Sequence, residues 1–332
     1  VYNGVKHQPF DYPGGPEISK KKEDENIKIT WPGITTAWQL GKHFSSIYGP
    51  LFDVKTWTSN DYSLSASGAN WVKHSDLVIA AGLRDDNKGK KDTWTPEEMK
   101  TVTDKTQYGY FFDKNNCPKF FESVEKAKTK LSSELEKLKK KKEFKESPMS
   151  DTEIITIWQG YETSQMMTPP PKWFEKLRDD LKQFSQKLFF NAFEDTQTKK
   201  LSGGHILTYI LNQLESAFKG TKKVTLLSLP RIVFAALLSV LNPSGTRYDD
   251  KALDSVALFP DEGAKLLIEL HETQKKEKKI KVTYTYSEAK SAVELVFPQC
   301  NEGTLCGYEH VKTLLKDFSS VTEQQQKDLC KK

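Results

Sequence analysis

Apolar side chains recur at helical spacing in several stretches of this chain. Ile34, Ala37, Trp38, Gly41, Phe44 and Tyr48 fall on one face of a helix. Phe120, Val124, Leu131, Leu135 and Leu138 form a second stripe, and Trp173, Leu177, Leu181, Phe184 and Leu188 a third. Between these two, Thr168-Pro169-Pro170-Pro171-Lys172 supplies a stop and a fresh helix start. Further helices are expected from Gly203-Gly204 to about Phe218 and over residues 232–241. Short apolar runs predict strands at residues 1–5, 54–58 and 224–229, the last fit for a central position. Residues 266–271 and 279–286 flank a lysine-rich turn and predict an antiparallel hairpin on a sheet edge.

Strands alternating with helices argue for an α/β fold. The polar stretch from Arg84 to Asp92 marks an insertion boundary. The expected organisation is therefore an α/β core of residues 1–86 and 201–332, with residues 87–200 as a mostly helical cap.

Composition narrows the class without naming a function. The 332 residues are 36% hydrophobic and 29% charged, which excludes collagen-like and disordered chains. The longest apolar run, residues 232–241, is about half a membrane span, so no transmembrane helix is expected. Fifty basic against 45 acidic side chains give +5, too mild by itself to argue for a nucleic-acid partner. The lysine runs at 20–22, 137–142 and 275–281 read first as solvated helix faces and turns, since Glu interrupts or flanks each. No signal-peptide pattern opens the chain at Val1, which reads as a processed or trimmed product.

Four cysteines stand at 117, 300, 306 and 330. A local disulfide between Cys300 and Cys306 would leave Cys117 to join Cys330, although three pairings are formally open. An oxidised, secreted protein is the favoured reading. The six histidines show no metal-ligand spacing, and no nucleophile elbow, P-loop or dinucleotide fingerprint occurs, so neither metal nor cofactor is expected.

A series of anchors carries a resemblance. The opening Val1-Tyr2-Asn3-Gly4-Val5-Lys6-His7-Gln8-Pro9 resembles a strand leading into Arg-His-Gly-x-Arg-x-Pro. Ile29-Thr30-Trp31-Pro32-Gly33 with Leu40-Gly41 resembles Leu-Thr-x-x-Gly and a later Leu-Gly, and residues 57–64 resemble Ser-Thr-Asp-x-Asp-Arg-Thr-Leu. Trp94-Thr95-Pro96, Asn116-Cys117-Pro118 and Ile157-Trp158 match cap anchors. Leu201-Ser202-Gly203-Gly204 matches Leu-x-Gly-Gly, and Ser228-Leu229-Pro230-Arg231-Ile232 stands where Ser-Ala-His-Asp-Thr ends a strand. Together these resemble the histidine acid phosphatases, a family with the phosphoglycerate-mutase-like α/β fold and a helical cap. The resemblance also favours the Cys300–Cys306 and Cys117–Cys330 pairings.

The departures imply lost chemistry. The family's nucleophilic histidine falls on Gly4, its phosphate-holding arginines on Asn3, His7 and Tyr62, and its His-Asp pair on Pro230 and Arg231. The resemblance thus implies no phosphatase activity. It places cap aromatics Trp94, Phe111, Trp158 and Tyr161 at the mouth of the former phosphate site, with Tyr62 entering from the core side. Asp11, Asp61 and Glu162 are candidate carboxylates for a ligand ammonium, and Arg231 for an acidic group.

The resemblance narrows to the silenced acid-phosphatase-like proteins of flea saliva, a branch known to bind host biogenic amines and leukotrienes. It implies a secreted scavenger of serotonin-like amines or cysteinyl leukotrienes, with no nucleic-acid or membrane partner. A rival expectation is a surface-acting protein that blocks an anionic host factor through its lysine runs.

Overall fold

The computed structural model describes residues 31–49, 62–67, 70–84, 102–146, 172–220, 224–242, 247–248, 251–252, 260–261, 263–286, 292–301 and 305–331. By contact the chain divides into two compact units, residues 1–56 with 69–102 and residues 57–68 with 103–332. The strands expected at 1–5 and 54–58, and the proline stop at 168–171, lie outside the described residues.

In the first unit, α1 (Trp31–Tyr48) packs against α2 (Asn70–Leu83). The expected stripe is the packed face, with Ile34, Ala37 and Val78 buried between the helices. Gly41 and Gly82 make the approach close: a Cβ on Gly41 would run into the backbone of Ile79 and Leu83, and one on Gly82 into that of Trp38.

The second unit holds a parallel sheet of order β2-β1-β3, built from β1 (Tyr62–Ala66), β2 (Thr103–Asp104) and β3 (Val224–Ser228). The register pairs Tyr62 with Val224 and Ala66 with Ser228, while Ala66 also faces Asp104. Among the described residues β1, not β3, is the middle strand, and β3 is half-buried with Thr225 exposed.

A short 3₁₀ helix, Thr106–Phe112, follows β2. The helical segment then runs through α3 (Pro118–Lys130), α4 (Ser132–Lys139), α5 (Lys142–Glu146) and α6 (Lys172–Ala192). Phe120, Val124, Leu131, Leu135 and Leu138 are buried, as are Leu177, Leu181, Phe184 and Leu188, so both stripes pack as their spacing predicts. This core does not stop at the expected cap boundary. One apolar cluster extends from Tyr108 through these helices to Val311 and Cys330.

Next comes α7 (Thr196–Phe218), whose start differs from the sequence reading. The Asp195 carboxylate accepts the Thr198 N–H at 2.8 Å, so the helix begins before Gly203-Gly204 and the glycines lie inside it. They are packing positions. A Cβ on Gly203 would press on Ala236 of α8 (Arg231–Leu241) and lie 2.8 Å from Val240 Cγ1, while one on Gly204 would meet Phe318 O at 2.8 Å. Residues 232–241 form the expected helix, buried on almost every side.

The remaining strands are β4 (Arg247–Tyr248), β5 (Lys251–Ala252), β6 (Lys265–Glu272), β7 (Lys278–Thr285), β8 (Val293–Val296) and β9 (Cys306–Gly307). They pair antiparallel in the order β5-β4-β8-β7-β6, with β9 also on β7. The lysine-rich hairpin is β6–β7, with β6 at the edge as expected, and Lys276 makes its turn at φ 63°. The chain closes with α9 (Tyr308–Leu314) and α10 (Glu323–Lys331). Both disulfides join the expected pairs: Cys117–Cys330, 213 residues apart, and Cys300–Cys306. Among the described residues no helix is long and apolar enough to cross a membrane.

Two outcomes follow from this packing. Gly203→Ala should cost about 1–3 kcal/mol through overpacking against α8, read as a lower urea midpoint. Replacing Cys117 and Cys330 together by Ala should cost about 2–5 kcal/mol because a long loop is released, read by thermal unfolding, whereas the six-residue bridge contributes less.

Candidate functional site

Parallel strands that end together leave a cleft lined by the segments that follow them, the usual ligand position in open α/β sheets. Here the three strand ends are tied at one level. Lys105 N–H donates to Ala66 O at 2.7 Å, and Ser67 N–H donates to Ser228 O at 3.0 Å. Leu229 and Pro230 then turn the chain into α8. Pro230, φ −59°, fixes the entry, and its carbonyl accepts from Val233 and Phe234 N–H at 3.0 Å each. The N-cap residue, Pro230, supplies no side-chain cap and no acidic residue stands in the first turn, so the positive end of the helix is not neutralised from within.

Beside these ends, His205 and Tyr209 project from one face of α7, four residues apart. Tyr209 OH shares a hydrogen bond with Ser65 Oγ at 2.8 Å. Lys105 Nζ lies 4.6 Å from the Tyr209 ring centroid, a cation–π contact of about 0.5–2 kcal/mol. Tyr108 meets His205 edge-on at 4.9 Å and Tyr209 at 5.6 Å. Burial, and then Tyr209, push the Tyr108 phenol far above its usual range, so it stays protonated. Burial also lowers the His205 pKa, with Lys105 acting in the same direction, against the Gln326 side chain and Glu323, which favour the imidazolium. Ser67 is fully buried and its Oγ has no hydrogen-bond partner among the described residues.

Of the expected site residues, the structure puts Arg231 and Tyr62 at opposite ends of the parallel sheet, so Tyr62 does not reach the strand ends where Arg231 stands. Arg231, half-buried, opens α8 at the end of β3. Tyr62 opens β1 and pairs through its backbone with Val224. Asn3, His7, Asp11, Asp61, Trp94, Trp158, Tyr161 and Glu162 lie outside the described residues. Phe111 departs from its expected place at the mouth. It has no exposed surface and packs against Phe120 at 4.9 Å and Phe193 at 6.3 Å. The 3₁₀ helix explains this, since residues three apart eclipse and Phe111 turns inward with Tyr108. Lys105, Tyr108, His205, Tyr209, Ser65 and Ser67 were not anticipated. The i,i+4 spacing of His205 and Tyr209 is a legible signal, but Ser67 and Lys105 meet only through strand pairing.

No protein-family profile matches the chain. Acid phosphatase-like protein XcAP-3 of the flea Xenopsylla cheopis is 30% identical, covering 99% of this chain and 90% of that protein. Acid phosphatase-like proteins XcAP-1 and XcAP-2 of the same organism are 27% and 25% identical, over 96% and 98% of this chain. The chain belongs to the histidine acid phosphatase family. Solved phytases share its fold. That of Klebsiella sp ASR1 has TM-score 0.58 and 12% identity over 90% of this chain and 88% of its own. That of Citrobacter braakii has TM-score 0.57 and 13% identity over 88% of each chain. In this acid phosphatase-like chain, the corner where resemblance puts a His-Asp pair is Pro230-Arg231, at the strand end described above.

His205 gives a pH-dependent outcome. With the folded pKa below the ordinary value of about 6.5, the unfolded chain takes up a proton that the native state refuses. Stability from this residue is complete above about pH 6.5 and declines as pH falls toward the folded pKa. The stability advantage of the native protein over His205→Gln should therefore shrink between about pH 7.5 and 5.5, read from urea midpoints at both values.

Proposed function

We propose that this chain is a secreted, non-catalytic binder that sequesters small host mediators at the strand ends: biogenic amines such as serotonin, or cysteinyl leukotrienes. The observation that carries this reading is the corner after β3. By the resemblance, Pro230 and Arg231 stand where the family carries its general acid, and neither offers an imidazole or a carboxyl. The sequence puts Gly4 at the nucleophile's place, which leaves no atom to carry a phosphoryl group. What remains near the strand ends is aromatic and cationic, a setting that suits binding better than turnover. Two disulfides support an extracellular protein, and relatives from Xenopsylla cheopis support a salivary one.

The rival, an anionic host factor held by the lysine runs, has less behind it. Lys139 pairs with Glu136 at 3.5 Å, Lys276 with Glu272 at 3.0 Å and Lys279 with Glu277 at 3.2 Å, and Lys141 pairs with Asp180. These lysines sit beside their own counter-charges, which weakens the field a polyanion would meet.

Purified protein should release no p-nitrophenol from p-nitrophenyl phosphate across acid and neutral pH, and should give saturable one-to-one heats with serotonin or a cysteinyl leukotriene in calorimetry. Turnover that a pocket substitution abolishes would overturn the non-catalytic reading. Heats from heparin alone, strongly reduced by salt, would favour the rival.

A further inference from the structure

Cations stand close to the described strand ends, beside Asp104 at the end of β2 and Glu323 near His205. Lys105 follows β2 directly, and its ammonium rests on the Tyr209 face. No carboxylate pairs with it among the described residues, in contrast to Lys119, Lys182, Lys312 and Lys327 of the same unit. The nearby start of α8 adds a positive helix end that opens with Arg231. Ser65 and Ser67 are two residues apart on one strand and its extension, so they share a face. Tyr209 covers that face at Ser65, and the Ser67 hydroxyl lies one step nearer the strand end, fully buried and without a partner among the described residues. A buried hydroxyl without a partner costs free energy unless some acceptor completes it.

We infer that Lys105 and Ser67 form an anion-binding end of the ligand site, so that the mediator held here presents a carboxylate rather than an ammonium group. This rests on the sequestration reading above. A ligand ammonium would need the aromatic face that Lys105 already covers, and would meet a like charge there. A carboxylate instead completes a charge-assisted bond with Lys105 and accepts a hydrogen bond from the Ser67 hydroxyl. The body of such a ligand is apolar, since half-buried Leu227, Leu229 and Phe234 border these ends.

Three probes with one tail and different heads separate the possibilities: dodecanoate, its uncharged methyl ester and dodecylammonium, each titrated into the full disulfide-bonded protein. Dodecanoate should bind at least about tenfold more tightly than the ester, Lys105→Met should erase that preference, and Lys105→Arg should keep most of it. The ester's affinity, unchanged in Lys105→Met, shows that the site remains folded. Equal or tighter binding of dodecylammonium, or an acid-to-ester ratio unmoved by Lys105→Met, would overturn the inference while leaving sequestration standing. If no probe binds, and serotonin and a cysteinyl leukotriene do not bind either, the sequestration reading fails and takes this inference with it.

Discussion

The parallel backbone pairing of Tyr62–Ala66 with Val224–Ser228 holds the candidate site in place. It joins two segments far apart in sequence and stops both at one level, with β2 ending beside them. Because backbone hydrogen bonds set this register, a slip of one residue would carry every side chain of β1 to the opposite face. Ser65 would then lose Tyr209, and Ser67 would no longer lie on the side that Lys105 approaches. The rigidity comes from below. The helix that follows β3, α8, is apolar around most of its surface, and Gly203 lets α7 approach it at backbone distance. Cys117–Cys330 ties the last helix to the start of the helical segment.

Burial and charge work together at these strand ends. Burial keeps Tyr108 protonated and favours a neutral His205. Lys105 supplies the cation and the Tyr209 face shelters it. A phosphatase needs a nucleophile, a clamp for three phosphate oxygens and a proton donor in one place. A binder needs only a shaped surface of matching polarity. Pro230 and Arg231 stand at the corner between those two demands, on the same strand-to-helix turn that the fold provides in either case.

Fold and chemistry rest on different residues. The likeness to phytases at 12–13% identity lies in the backbone fold, which many sequences satisfy. A catalytic set has no such tolerance, since one imidazole has no substitute among apolar or small residues. Relatives that share 25–30% of their residues across nearly the whole chain place this protein among acid phosphatase-like proteins without fixing what any one of them holds.

The sequence by itself determined the elements whose signal is local. Leu177, Leu181, Phe184 and Leu188 repeat at the helical period, and they bury one face as that period requires. The β6–β7 hairpin was legible from two apolar runs around a lysine turn. Helix start was less legible: Asp195 caps α7 ahead of the glycines that looked like its beginning. Phe111 was misplaced because its 3₁₀ geometry turns it into the core. Only the tertiary structure decided that Ser67, Lys105 and Tyr209 meet. Those contacts come from strand pairing and helix packing between distant segments, and no local period along the chain records them.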